Sequence, residues 1–190
     1  MIPENNKKEL LEYAREIIKA KIEQRPPSFE LNNCELYFQN RGCFVSLHKN
    51  GNLRGCIGVI NPDFSLAEAV KMNAINAAFD DSRFFPLQNN ELEEIDLEIS
   101  LLTIPESLEY SDSNDLLKKL IPEKHGVIIS KGFRKATFLP QVWEQLPDPV
   151  QFLKHLCTKA GLNPFSWKES GLSVQVYEAQ VFSEKQFLKQ

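Results

Sequence analysis

Apolar residues recur at helical spacing near the start of the chain, where Leu10, Leu11, Ala14, Ile17, Ile18 and Ile22 fall on one stripe. The spacing predicts an amphipathic helix over residues 7–24, capped by Asn5 or Asn6 and stopped by Pro26-Pro27. The period then changes. Cys43 to His48 and the run from Leu53 to Ile60 flank Lys49-Asn50-Gly51-Asn52, a hairpin signal. Two registers are open. A two-residue Asn50-Gly51 turn pairs His48 with Leu53 and Val45 with Cys56, mixing polar and apolar positions on both faces. A three-residue loop, Asn50 to Asn52, pairs His48 with Arg54 and Ser46 with Cys56, and puts Val45, Leu47, Leu53, Ile57 and Val59 on the other face. The second register is preferred because it separates polar from apolar.

Asn61-Pro62 ends this strand, and Ser65-Leu66-Ala67-Glu68 reads as a capping box opening a helix to about Phe79. That helix is apolar on more than one side, which predicts burial. A charged loop from Asp80 to Pro86 follows, then an alternating strand from about Asp96 to Ile104. After a short helix near Ser113–Ile121 the order returns: a hairpin from Gly126 to Leu139, turning at Lys131-Gly132-Phe133 and ended by Pro140. Asp148 then caps a helix that Gly161 should stop, and an alternating strand runs from Leu172 to Phe182. Gly42 and Gly126 stand 84 residues apart at the two starts. The expectation is an α+β fold of two packed, pseudo-repeated halves, 1–104 and 105–190, within a single domain over 1–190. Each half has a hairpin, a helix and a further strand, and the N-terminal amphipathic helix is additional. In that alignment Thr137 falls where Cys56 falls in the first half.

Composition changes the picture in two ways. A formal net charge of −4 and a pI near 5.5 argue against a nucleic-acid binder, which normally carries a concentrated basic face. No stretch approaches the ~18 apolar residues that a membrane span requires, and the first residues lack a signal-peptide layout, so a cytoplasmic protein is expected. The four cysteines, Cys34, Cys43, Cys56 and Cys157, show no metal-ligand or redox spacing and are expected as free thiols, with no metal site and no cofactor.

The candidate chemistry centres on Leu53-Arg54-Gly55-Cys56-Ile57-Gly58. The strand period places Cys56 beside Arg54 on one side of the sheet, where a guanidinium would lower the thiol pKa. Gly55 and Gly58 would let a ligand approach the backbone. Asp81 and Arg83 could position a polar substrate or pair with Arg54. His125 is a candidate base, and Thr137 could oppose Cys56 across a groove. Each has a plainer reading: a filler thiol, an Arg54 paired with an acid, an Asp-Ser-Arg turn tying two elements together, a loop histidine, an ordinary strand threonine. His48 and His155 read as surface, and Phe84, Phe85, Phe138 and Trp143 as core.

Several motifs in order carry a family likeness. Arg54-Gly55-Cys56-Ile57-Gly58 after a Lys-Asn-Gly turn, Asp81-Ser82-Arg83-Phe84, Ser100-Leu101-Leu102-Thr103, Lys124-His125-Gly126 and Thr137-Phe138-Leu139-Pro140-Gln141-Val142-Trp143 resemble the AMMECR domain family, from about Leu10 to Phe182. The resemblance is to the prokaryotic form, which belongs to the AmmeMemoRadiSam system. It implies a compact α+β protein of two intimately packed parts, and a genomic association with a Memo-like protein and a radical S-adenosylmethionine protein. It implies no reaction. Three functions remain in play: a binding or accessory component whose groove holds a small polar ligand or a partner's segment; an enzyme using Cys56 as nucleophile or as an acid/base thiol, with Arg54 activating it and His125 relaying a proton; and a nucleic-acid-associated regulator, which the charge disfavours.

Overall fold

A computed structural model describes residues 2–61 and 63–187 of the chain. The N-terminal helix, α1 (Glu4–Ile22), buries the predicted stripe, but it starts after Pro3 rather than at an asparagine cap. Asn6 is used elsewhere: its amide donates to the Tyr37 hydroxyl at 2.9 Å and to the Cys34 sulfur at 3.4 Å. Tyr37 belongs to a one-turn helix, α2 (Glu35–Phe38), too short for a periodic signal.

The first hairpin joins β1 (Cys43–Lys49) to β2 (Asn52–Val59), and its register merges the two expected ones. Asn50 and Gly51 form a two-residue turn with φ of 52° and 80°, as a type I′ hairpin requires, and Lys49 pairs with Asn52. Yet Ser46 pairs with Cys56. The reconciling feature is a bulge: Leu47 pairs with Gly55 and His48 with Leu53, leaving Arg54 as the extra residue. The bulge moves Leu53 off the apolar face, where it was expected, and leaves it 41% exposed opposite His48. Pro62, expected to end the strand with Asn61, lies outside the described residues.

Helix α3 (Leu66–Phe79) opens with the predicted capping box, Ser65 and Glu68 each bonding the other's backbone. It packs on β1 and β2, against α1, and is buried along most of its length. Strand β3 (Ile95–Leu102) pairs antiparallel with β1, with Ser46 opposite Glu98 and Phe44 opposite Ser100. Val45, Leu47, Leu97 and Ile99 are fully buried in the core formed with α1 and α3. Ser46, Cys56, Glu98 and Ser100, offset by one from those positions, share the opposite face.

A second set of elements begins with β4 (Glu106–Ser107), α4 (Ser113–Lys119), β5 (Gly126–Lys131) and β6 (Arg134–Phe138). Helix α5 (Pro149–Lys159) is capped by Asp148, and Gly161 follows with φ of 70°. The expected single final strand is two: β7 (Ser173–Tyr177) and β8 (Ala179–Ser183), in different sheets. The sheets run β2-β1-β3-β8 and β4-β7-β5-β6. Residues up to Leu102 together with those from Gln180 onward form one compact unit, and Thr103–Ala179 form the other. The residues of β8 from Gln180 to Ser183, which the halves assigned to 105–190, therefore fall in the first unit. The second unit has its own core, in which Trp143 stacks on Phe152 at 3.7 Å between centroids. No helix among the described residues is long and apolar enough to cross a membrane.

Candidate functional site

Cys56 lies on β2, an edge strand, and its outward backbone groups are taken by side chains. Asp81 accepts the Cys56 N–H at 2.9 Å, and Arg83 Nη2 donates to the Cys56 carbonyl at 3.2 Å. Arg83 also binds Asp81, through Nε at 2.9 Å and Nη2 at 2.6 Å, and its own N–H donates to the same carboxylate at 3.2 Å. The pair forms a clasp on the Cys56 backbone that supplies one donor and one acceptor, as a neighbouring strand would. Asp81 is 5% exposed, and the Arg83 guanidinium, then the Cys56 and Arg83 amides, hold its carboxyl well below the usual range.

The thiol itself is not activated. Burial, its largest influence, pushes the Cys56 pKa up; a hydrogen bond from Ser46 Oγ at 3.1 Å and the charge of Arg83 pull it down, while Asp81 and Glu98 push it further up. Arg54, expected to be the activating cation, is bound elsewhere. Its Nε and Nη2 hold Glu91 at 3.0 and 2.9 Å, and Lys49 adds a contact at 3.3 Å. Glu91 is lowered to about 2, chiefly by Arg54. The remaining nitrogen, Arg54 Nη1, is buried with no hydrogen-bond partner, as is His48 Nε2. The bulge lets Arg54 depart from the Cys56 neighbourhood, and period-2 reasoning could not foresee it.

Gly55 and Gly58 leave no free space either. A Cβ on Gly55 would stand 2.1 Å from the Ala77 carbonyl of α3, and one on Gly58 2.2 Å from the Phe44 ring. These glycines admit a helix and an aromatic ring, not a ligand. The ring of Phe84 has the Arg54 guanidinium 6.0 Å and that of Arg83 5.4 Å from its centroid. Phe85, expected in the core, is 89% exposed.

His125 and Thr137 belong to the second unit. His125 Nδ1 accepts the Ile121 N–H at 3.2 Å, and its carbonyl accepts the Trp143 indole N–H at 2.7 Å. Burial and then Lys124 lower its pKa, so it is neutral near pH 7. Thr137 Oγ1 donates to the Val127 carbonyl at 2.9 Å and bonds the Tyr177 hydroxyl at 2.9 Å. Both side chains are engaged within their own unit. His155 is exposed, as expected.

Three site neighbours escaped the sequence reading as functional candidates: Ser46, Glu91 and Glu98. Ser46 and Glu98 follow from register, flanking positions on three adjacent strands with Cys56. Glu91 carries no local signal, because it reaches Arg54 across 37 residues. Among the described residues no group of three metal-ligating side chains assembles.

These motifs can be set against known proteins. The AMMECR1 family model matches residues 11–182. The chain belongs to the AMMECR1 family. Protein MK0488 of Methanopyrus kandleri is 41% identical over 170 residues, covering 87% of this chain and 79% of that one. Protein MJ0810 of Methanocaldococcus jannaschii is 38% identical over 175 residues, covering 90% and 87%. The crystal structure of the uncharacterized protein PH0010 from Pyrococcus horikoshii superposes with a TM-score of 0.83 at 31% identity, covering 93% of this chain and 90% of that one. The AMMECR1 match spans the clasp, the Cys56 strand and both hairpins.

Proposed function

We propose that this AMMECR1-family chain is a binding component rather than a thiol enzyme, and that a polar ligand or an extended partner segment lies along β2 and the face carrying Ser46, Cys56 and Glu98. The state of Cys56 carries the reading. Burial keeps its thiol protonated near neutrality, its hydroxyl neighbour is no base, and the arginine that should activate it is committed to Glu91. The family resemblance supports a Memo-like protein and a radical S-adenosylmethionine protein as the partners, in a modification pathway. The free state of all four cysteines accords with a reducing, cytoplasmic setting. The shared order of hairpin and following strand in the two sheets supports a duplicated origin.

Alkylation tests the reading. With iodoacetamide at pH 7, Cys56 should react no faster than free glutathione, and Cys56→Ser should bind partners as the natural chain does. Faster alkylation of Cys56, together with loss of pathway output in a Cys56→Ser chain that still binds, would establish the enzyme instead.

A further inference from the structure

The edge of β2 is closed at Cys56 and open at Gly58. In an antiparallel ladder, pairs that exchange hydrogen bonds alternate with pairs whose N–H and C=O point away from the neighbouring strand. The Cys56 groups go to Asp81 and Arg83, so Ser46 and Cys56 form a pair of the second kind. Phe44 and Gly58 lie two residues along and form another. The Gly58 N–H and carbonyl therefore also point out of the sheet edge. Among the described residues no side chain or loop backbone bonds them. The clasp leads away from them. Its loop runs on from Arg83 toward Arg54, whose guanidinium is 6.0 Å from the Phe84 centroid, and Arg54 lies on the other side of Cys56 from Gly58.

The two faces beside Gly58 set the chemistry of an occupant. On one, the half-buried Phe44 ring lies where a Gly58 side chain would stand. On the other, Ile57 and Val59 are half-buried at the rim of the core, while Val45 and Leu47 of β1 are fully buried. An added strand would set one side chain against the Phe44 ring and the two flanking it beside Ile57 and Val59. Open backbone groups recognise extended backbone, and these flanks select apolar side chains. A second copy of the chain does not fit. Pairing Gly58 with its counterpart would set Ile60 of one copy opposite Cys56 of the other, where Asp81 and Arg83 already sit.

We propose that Gly58 accepts a short, extended, apolar segment of a partner protein as an added strand, which the clasp stops at Cys56. The proposal rests on the binding reading above and gives it a backbone point of contact.

Hydrogen exchange read amide by amide tests it, in the free chain and with the purified Memo-like protein or the purified radical S-adenosylmethionine protein added. The Cys56 amide is held by Asp81, and those of Ile57 and Val59 point inward to β1. In the free chain the Gly58 amide should therefore exchange about tenfold or more faster than these three. The partner that binds should slow it by about tenfold or more. A Gly58 amide as slow as its neighbours at every chain concentration would mean a closed edge. One that slows only as the chain is concentrated would mean a second copy, and either result overturns the proposal. Calorimetric binding that leaves Gly58 fast would overturn strand addition and leave the binding reading standing. Absence of binding to either protein would overturn both.

Discussion

Strands β2 and β6 hold the same place in their sheets: each is the edge, beside the first strand of its hairpin. They treat that edge differently. On β2 the backbone at Cys56 is closed by a carboxylate and a guanidinium from a loop 25 residues on, while the thiol stays half-buried on the face it shares with Ser46 and Glu98. On β6 the equivalent Thr137 turns its hydroxyl onto Val127 and Tyr177, and its carbonyl takes Lys159 of α5 at 3.0 Å. The second unit consumes its polar groups internally. The first recruits charge to its edge and keeps a chemically soft atom within reach, which is why the binding surface is assigned there. The contrast also separates two meanings of a strand glycine, since Gly55 is crowded by helix backbone and Gly126 by the Tyr177 ring at 2.5 Å.

That glycine pair gives the largest expected effect. Gly55→Ala sets a methyl 2.1 Å from a backbone carbonyl that cannot move without displacing α3. Overpacking of this kind costs about 3 kcal/mol or more. Gly126→Ala meets a side-chain ring, which can shift at the expense of its hydroxyl contacts, and should cost about 1–2 kcal/mol. Urea denaturation of the two variants measures the difference. Equal costs would mean that α3 yields as readily as a ring, and the first unit would lose its claim to a rigid edge.

Next in size is the clasp. Asp81→Ala leaves the Cys56 amide without its acceptor and Arg83 without its counter-ion. Because Asp81 is buried and Arg83 is half exposed, about 2 kcal/mol is expected. Thr137→Val removes one neutral hydroxyl from a site that Tyr177 still closes, and should cost about 1 kcal/mol. Asp81→Ala should also speed amide exchange at Cys56 specifically. If exchange there is unchanged, the loop is not standing in for a strand.

Much of this architecture was legible. The capping box at Ser65, the Asp148 cap, both hairpins and the α1 stripe are local patterns, and local patterns leave local traces. The pairing of Ser46 with Cys56 was legible too, because it separates polar from apolar. What failed is non-local or subtractive. The Arg54 bulge reconciles a turn geometry with a face preference, and neither alone signals it. The Arg54–Glu91 pair joins residues whose intervening helix hides their proximity. Gly55 and Gly58 advertise space in a sequence, while only coordinates say that a helix and a ring already fill it. The break between β7 and β8 falls where the alternation of Leu172, Val174 and Val176 gives way to Glu178 and Gln180, a local change of face that a single-strand reading passes over.

Acid separates the units further. Glu91 is lowered from 4.5 to about 2 by Arg54, and Asp81 is lowered by Arg83. A depressed folded-state carboxyl adds stability that is complete above its unfolded value and is lost as pH falls toward the folded one. The first unit should therefore weaken between about pH 4.5 and 2. His125 is a base lowered by burial, so its neutral form is favoured in the fold and its contribution declines below pH 6.5. Denaturation midpoints against pH should show a smaller lower phase in Glu91→Gln, the Asp81 part remaining, and lose the upper one in His125→Asn. A lower phase that survives Glu91→Gln unchanged would detach it from the arginine pair.

The smallest effect concerns the thiol. Sequence spacing makes Arg54 the natural neighbour of Cys56, but its guanidinium is tied to Glu91, and Arg83 is the cation that lowers the thiol pKa. Arg83 is half exposed, so solvent and salt screen much of its influence. Arg83→Ala should slow iodoacetamide alkylation of Cys56 by no more than about threefold at low salt, with the difference vanishing at high salt. Arg54→Ala should leave the rate alone. Cys157, fully buried in the second unit, provides the internal standard, because it reacts only when that unit opens. A rate that falls with Arg54→Ala while Cys157 is unaffected would mean that Arg54 leaves Glu91 in solution and reaches the thiol. The edge of β2 would then be a site for chemistry as well as for docking.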